Sequence, residues 1–159
     1  MVIYYSWKNH TRAYAGALAA IKNDTAFELK EQKKRSGIPG FISGGFQSAA
    51  KRELPPAAMP DLGKAGEIYV CTPIWASGIT PVIRYFLKHA KLQGVTVNFL
   101  LTCANISGID AYKKSAFDAL NGTGAVPGAA YVFACPGKAE MDSGTIRRQI
   151  EKVILGVEQ

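Results

Sequence analysis

Cysteine is scarce in this chain and its spacing forms no pattern. The 159 residues include three, at 71, 103 and 135. An odd number at wide intervals excludes a disulfide framework, and no close CxxC pair offers the ligands of a zinc site. A reducing compartment is the simplest expectation. Long apolar runs are also missing, since none approaches the length of a membrane span. The start lacks the basic, apolar and small-residue succession of a signal peptide. A cytoplasmic location without a membrane partner is therefore expected. There is no internal repeat. Acidic residues are in deficit, 12 against 19 Lys and Arg, for a net charge of +7 and a pI near 9.4. That excess suits solubility as well as it suits an anionic ligand, an acidic partner or nucleic acid. Much of it lies at 30–35 and at Lys51-Arg52.

What is present reads as one domain over 1–159. Hydrophobic residues make up 48% and charged residues 19%, enough for a real core. Apolar, β-favouring segments at 1–5, 25–29, 66–71, 94–101 and 129–134 alternate with helical patterns. In the first helix Tyr14, Ala17, Leu18 and Ile21 share a face. Thr80 as N-cap and Pro81 at N1 start a helix to about Ala90, with Val82, Ile83, Phe86 and Leu87 as its buried stripe. A further helix spans 109–120, with Tyr112, Ala116, Ala119 and Leu120 on one face. The last covers about 143–156, with Ile146, Ile150, Val153 and Ile154 facing inward. The exception is a Gly/Pro/Lys-rich segment at about 31–65. There a short helix near 45–52 is expected, and Phe41 and Phe46 are expected to pin the segment to the core. The alternation predicts a doubly wound α/β fold: a five-stranded parallel sheet with right-handed crossovers inside three α/β/α layers. Its ligand belongs at the C-terminal strand ends, at the switch point.

The first of those ends carries the loop Ser6-Trp7-Lys8-Asn9-His10-Thr11, between a strand and a helix. Such a unit aims free helix N–H groups and a positive dipole end at whatever lies above it, which makes it an anion site. A dinucleotide fingerprint is excluded, because no glycine stands where G-x-G-x-x-G requires three. A phospho-accepting receiver would need acidic residues where Tyr4-Tyr5 and Cys71 stand. A cysteine phosphatase would need an Arg where Ile109 follows Cys103.

Two stretches instead resemble the flavodoxin-like family. Residues 4–12 are similar to its phosphate loop, S-x-T-G-N-T: Ser6 and Thr11 match, whereas Lys8, Asn9 and His10 depart. Asn is the best non-glycine residue for a left-handed turn, and Lys8 supplies a charged donor where the family has a hydroxyl. Residues 71–87, Cys71-Thr72-Pro73-Ile74-Trp75-Ala76-Ser77-Gly78-Ile79-Thr80-Pro81 and then Phe86-Leu87, resemble its flavin-ring loop. Thr102 to Gly108 falls where the family's third flavin loop lies, without an aromatic residue.

The resemblance implies the strand order 2-1-3-4-5 and non-covalent FMN. Ser6, Lys8, Asn9, His10 and Thr11 would address the phosphate, and Thr72, Pro73, Ile74, Trp75, Ala76 and Gly78 the ring. Cys103, Ala104, Asn105 and Gly108 would close the third side. Trp75 is the aromatic expected to stack on the flavin; a Trp covering the sheet edge is the alternative. The implied work is electron transfer or reduction of a small acceptor such as a quinone. An enzyme of this kind would be an FMN-dependent NAD(P)H oxidoreductase. No catalytic side chain and no metal are demanded, and the excess of basic residues points to an acidic redox partner. A flavin-free binding or regulatory module is the alternative. Nucleic-acid binding through 30–52 ranks last, because aromatics do not alternate with the basic residues there. Cys71, Cys103 and Cys135 each fall at the C-terminal end of a strand. They would border the crevice if exposed, but small buried apolar residues are the ordinary state of cysteine.

Overall fold

A computed structural model of the protein describes residues 1–32, 45–48, 50–135 and 142–156. The strands are β1 (Val2–Tyr4), β2 (Ala26–Glu28), β3 (Glu67–Trp75), β4 (Gly78–Ile79), β5 (Thr96–Cys103) and β6 (Val126–Ala134). The helices are α1 (His10–Lys22), α2 (Pro81–His89), α3 (Ile109–Asp118) and α4 (Ser143–Ile150). The sheet runs β2-β1-β3-β5-β6, all parallel, which is the expected order once β4 is set aside as an antiparallel appendage of β3.

Strand parity builds the three layers. Successive side chains point to opposite faces. Val2 and Tyr4 of β1, Tyr69 and Cys71 of β3, and Leu100 of β5 face α1 and α4, where Tyr14, Leu18, Ile146 and Ile150 meet them. Ile3, Ile68, Val70, Val97, Phe99 and Leu101 face the other way, onto Val82, Ile83, Phe86 and Leu87 of α2 and Ala116 and Leu120 of α3. Both faces of the central strands are therefore covered, which is why these segments read as continuous apolar runs.

Several boundaries differ from those expected. β3 does not stop at Cys71 but continues through Thr72, Pro73, Ile74 and Trp75, pairing Pro73 with Thr102 of β5 and Trp75 with Gly78 of β4. The β-favouring Thr, Ile and Trp outweigh one proline. β5 starts at Thr96 instead of 94, because Gly94 sits in a turn at φ 75° and Val95 N–H bonds Leu92 C=O. β6 starts early, at Val126, as an edge strand that tolerates Pro127. α4 passes at Glu151 into a π-helical turn to Leu155. The wider turn shifts the helical phase, so Val153 is 48% exposed instead of inward, while Ile154 still packs on the core.

Within the 31–65 segment, residues 45–48 are helical. Phe46 is not a pin, being 66% exposed; Phe41 lies outside the described residues. Backbone bonds fasten the later part instead, from Leu54 N–H to Pro81 C=O and from Ala57 N–H to Lys30 C=O. Leu54 and Leu62 pack on the core of the α2 side. Among the described residues no helix is long and apolar enough to cross a membrane.

The β3–β4 turn carries backbone strain. Ala76 and Ser77 have φ of 46° and 62°, between the paired residues Trp75 and Gly78. Two consecutive left-handed residues form the tight hairpin turn that normally selects Asn-Gly. For other L-residues that conformation costs about 1–2 kcal/mol each. Both side chains are exposed, so nothing else is lost on changing them. The double substitution A76N/S77G is expected to stabilise the protein by about 1–2 kcal/mol, read as a raised urea midpoint at unchanged slope.

Candidate functional site

Three loops leave the C-terminal edge of the sheet side by side, after β1, β3 and β5. The first enters α1 through Asn9, which takes φ 64° and makes no side-chain cap. Asparagine thus supplies the left-handed turn that glycine usually would. The first turn of α1 holds no acidic residue, so its N–H groups and positive end are left for an anion. Ser6 Oγ is buried in this loop and has no hydrogen-bond partner. A buried hydroxyl without a partner costs free energy that a ligand oxygen would recover. Lys8 is exposed and lies over the ring of Trp7, its Nζ 5.0 Å from the centroid. His10 is half-buried as the first residue of α1.

Two threonine pairs hold the loops in place. Thr11 Oγ1 lies 2.8 Å from Thr102 Oγ1, tying α1 to the end of β5. Thr72 Oγ1 lies 3.1 Å from Thr80 Oγ1, closing the base of the β3–β4 hairpin. All four side chains are buried. Thr80 is the N-cap of α2 in position only, because its hydroxyl makes no bond to the helix. Thr11 and Thr72 stand in the expected loops, with their hydroxyls engaged in these pairs.

Trp75 is 7% exposed. Tyr5 and Trp7 meet it edge-on, with ring centroids at 5.7 and 5.9 Å. The three aromatics close the corner between the first and second loops, and Trp7 is the half-buried outer member. Ala76 is exposed; Gly78 is buried, and a Cβ there would stand 3.4 Å from Ser48 O and 3.5 Å from Ser115 Oγ. Pro73 and Ile74 are half-buried.

The third loop is braced from its own helix. Tyr112 donates its hydroxyl to Asn105 C=O at 3.1 Å, and its ring covers Gly108, where a Cβ would clash at 2.7 Å. Asn105 Oδ1 accepts from Ser107 N–H. Ala104 and Asn105 are exposed. Sequence reasoning placed Tyr112 only on the core face of its helix; the glycine four residues earlier is the signal of its second role.

The three cysteine side chains are buried. Cys71, Cys103 and Cys135 are free thiols that are 0, 7 and 8% exposed. Burial raises the pKa of all three, that of Cys135 to about 11. They are therefore protonated, unreactive thiols near neutral pH. Among the described residues no group of three His, Cys, Asp or Glu could hold a metal.

No protein-family model matches the chain, and no curated protein matches it. Solved structures do. A provisionally assigned flavoprotein from Bacteroides uniformis superposes with a TM-score of 0.73 at 20% identity, over 96% of this chain and 97% of that one. A flavoprotein in complex with FMN from Lactobacillus acidophilus does so with 0.69 at 18% identity, over 82% and 90%. A flavodoxin from Streptococcus pneumoniae gives 0.52 at 15%, over 98% and 97%. The likeness is one of fold: the chain has the flavodoxin-like fold.

The threonine pairing yields a double-mutant test. T102V alone strands the Thr11 hydroxyl in the core and is expected to cost about 1–3 kcal/mol. Adding T11V removes the stranded group and recovers most of that loss. Urea unfolding of the four proteins of the cycle reads the coupling.

Proposed function

We propose that this protein binds FMN non-covalently at the C-terminal edge of its sheet, and works in electron transfer or in the reduction of a small acceptor such as a quinone. The observation that carries this reading is the buried, unpartnered Ser6 Oγ in a loop that ends at an uncapped helix N-terminus. That pairing of an orphan donor with free N–H groups fits a phosphate monoester. The fold shared with a flavoprotein in complex with FMN points the same way.

In this reading Ser6, the α1 N–H groups and Lys8 hold the phosphate, with Asn9 shaping the turn and His10 beside it. The β3–β4 hairpin, Thr72 to Gly78, supports the ring. Residues 103–105 and Gly108 flank it, with the loop braced by Tyr112. When bound, FMN supplies the redox chemistry; the chain supplies position and field. Thr11 and Thr72 fix the spacing of the loops through their buried pairs. An acidic redox partner suits the net charge of +7.

The burial of Trp75 favours a second reading, a flavin-free binding module, because Tyr5 and Trp7 already occupy two sides of its ring. One measurement separates the two. Purified protein mixed with FMN and dialysed should retain a flavin absorption spectrum; a colourless protein after dialysis supports the binding module.

Two further outcomes follow from the FMN reading. S6A is expected to weaken FMN binding about tenfold, the worth of one hydrogen bond to a charged group. In the flavin-free protein the same change should leave the thermal midpoint unchanged or slightly raised, since Ser6 Oγ has no partner to lose. Titration by fluorescence quenching and a melting curve check both. The basic excess should also stabilise the anionic reduced flavin, giving a less negative potential than that of acidic flavodoxins. That advantage should shrink as salt is raised toward about 1 M, as read by redox titration at two ionic strengths.

A further inference from the structure

The β3–β4 turn borders a second concavity. A cavity of about 330 Å³ lies between turn residues 76–78, Ser48 and Lys51, Arg84 of α2, and Lys114, Ser115 and Asp118 of α3. That volume is at the small end of ligand pockets. It is suited to a compact polar group.

Its wall holds two polar groups that the fold leaves unused. Arg84 is 6% exposed, and its Nε–H has no hydrogen-bond partner. Ser48 is 2% exposed, and its Oγ has none either. The two carboxylates whose fields reach Arg84 are engaged elsewhere. Asp118 bonds Lys114 Nζ at 2.7 Å, and Glu53 bonds Lys88 at 2.5 Å and faces His89 at 3.4 Å. Burial pulls the Arg84 pKa down, while Glu53 and Asp118 pull it up. A guanidinium does not give up its proton in a protein. A buried one without an ion pair is therefore a lasting cost, unless an anion meets it.

The charge count selects the anion. Asp118 offsets Lys114, which leaves Arg84 and the exposed Lys51 as two cations facing one small cavity. A phosphate group carries close to two negative charges near neutral pH and several acceptor oxygens. It could take the Arg84 fork, the Ser48 hydroxyl and Lys51 together. The wall is also fixed in shape, because Ser115 Oγ accepts from Ile79 N–H at 3.4 Å and so joins α3 to the hairpin.

We propose that this cavity is a phosphate-binding site, distinct from the β1–α1 loop, in which Arg84, Ser48 and Lys51 hold a phosphate that is either free or the terminal group of a small molecule. The site does not depend on flavin binding, and its test uses none.

The probe is inorganic phosphate, added at constant ionic strength, with acetate as the control anion. In the unaltered protein, phosphate should shift the Arg84 Nε–H resonance saturably in a ¹⁵N–¹H spectrum, and acetate should not. A resonance unmoved at saturating phosphate, or one moved equally by acetate, overturns the site. By calorimetry in an S6A background, which weakens phosphate binding at the β1–α1 loop, K51A should weaken the remaining phosphate binding at least threefold. R84Q should abolish it if the variant folds; K51A carries the test if it does not. Phosphate binding lost in S6A and kept in K51A would belong to the β1–α1 loop and would also overturn the proposal. A phosphomonoester such as glycerol phosphate that binds more tightly than inorganic phosphate would identify the ligand as an ester. The reverse order would identify it as the free ion.

Discussion

The hydroxyl pair of Thr11 and Thr102 joins two parts of the chain that are 91 residues apart, at the point where the sheet stops and the loops begin. Parallel strands end at the same edge, but their register alone does not hold the loops in place. A buried side-chain bond does, because breaking it leaves a hydroxyl with nowhere to turn. With Thr11 held against β5, the start of α1 cannot drift from the third loop. With Thr72 held against Thr80, the hairpin cannot open at its base. The groups left unsatisfied, Ser6 Oγ and the first turn of α1, are then presented in a fixed frame. Polar satisfaction beneath the site and polar vacancy within it make one arrangement.

The parts of this arrangement that were legible in the sequence are those set by periodicity. Alternating burial in β1, β3 and β5 produces apolar runs, and runs of that length between helical patterns imply a covered parallel sheet. The strand order was legible only through the resemblance of residues 4–12 and 71–87 to flavodoxin-like loops, since alternation alone fits more than one order. The hairpin was not legible, because Ala76-Ser77 lacks the Asn-Gly signature of its turn and Pro73 reads as a break. The phase slip that exposes Val153 was hidden because a π-turn leaves no mark in the residue types. Thr80 shows the limit of local rules: its position at the helix start was right, yet its hydroxyl serves a tertiary contact instead. Arg84 sits inside the apolar stripe Val82-Ile83-Phe86-Leu87, and a basic residue in such a setting is a signal that periodicity alone passes over.

Net charge is a poor guide to where charge acts. Of the basic residues, Arg12 pairs with Glu28, Lys88 with Glu53 and Arg147 with Glu151, all on the surface, where such pairs are worth little. Lys8 lies on an indole. The cations whose surroundings give them leverage are few, and Arg84 is foremost among them because water no longer shields it.

The strain in the hairpin now has a structural reason. A turn that holds Ala76 and Ser77 in the left-handed region persists only if its surroundings over-determine it. Here they do: the Thr72–Thr80 bond closes its base, Ser115 Oγ accepts from Ile79 N–H, and Gly78 sits beside Ser48 O and Ser115 Oγ, which a Cβ would meet at van der Waals contact. An Asn-Gly turn would fold more readily but would rely less on these contacts. With Ala-Ser, the turn draws support from α3 and the 45–48 stretch beside it. The hairpin thus reports the packing of the layer behind it to the edge in front, and the loop carrying Trp75 inherits its position from Ser48, Ser115 and α2 as well as from its own sequence.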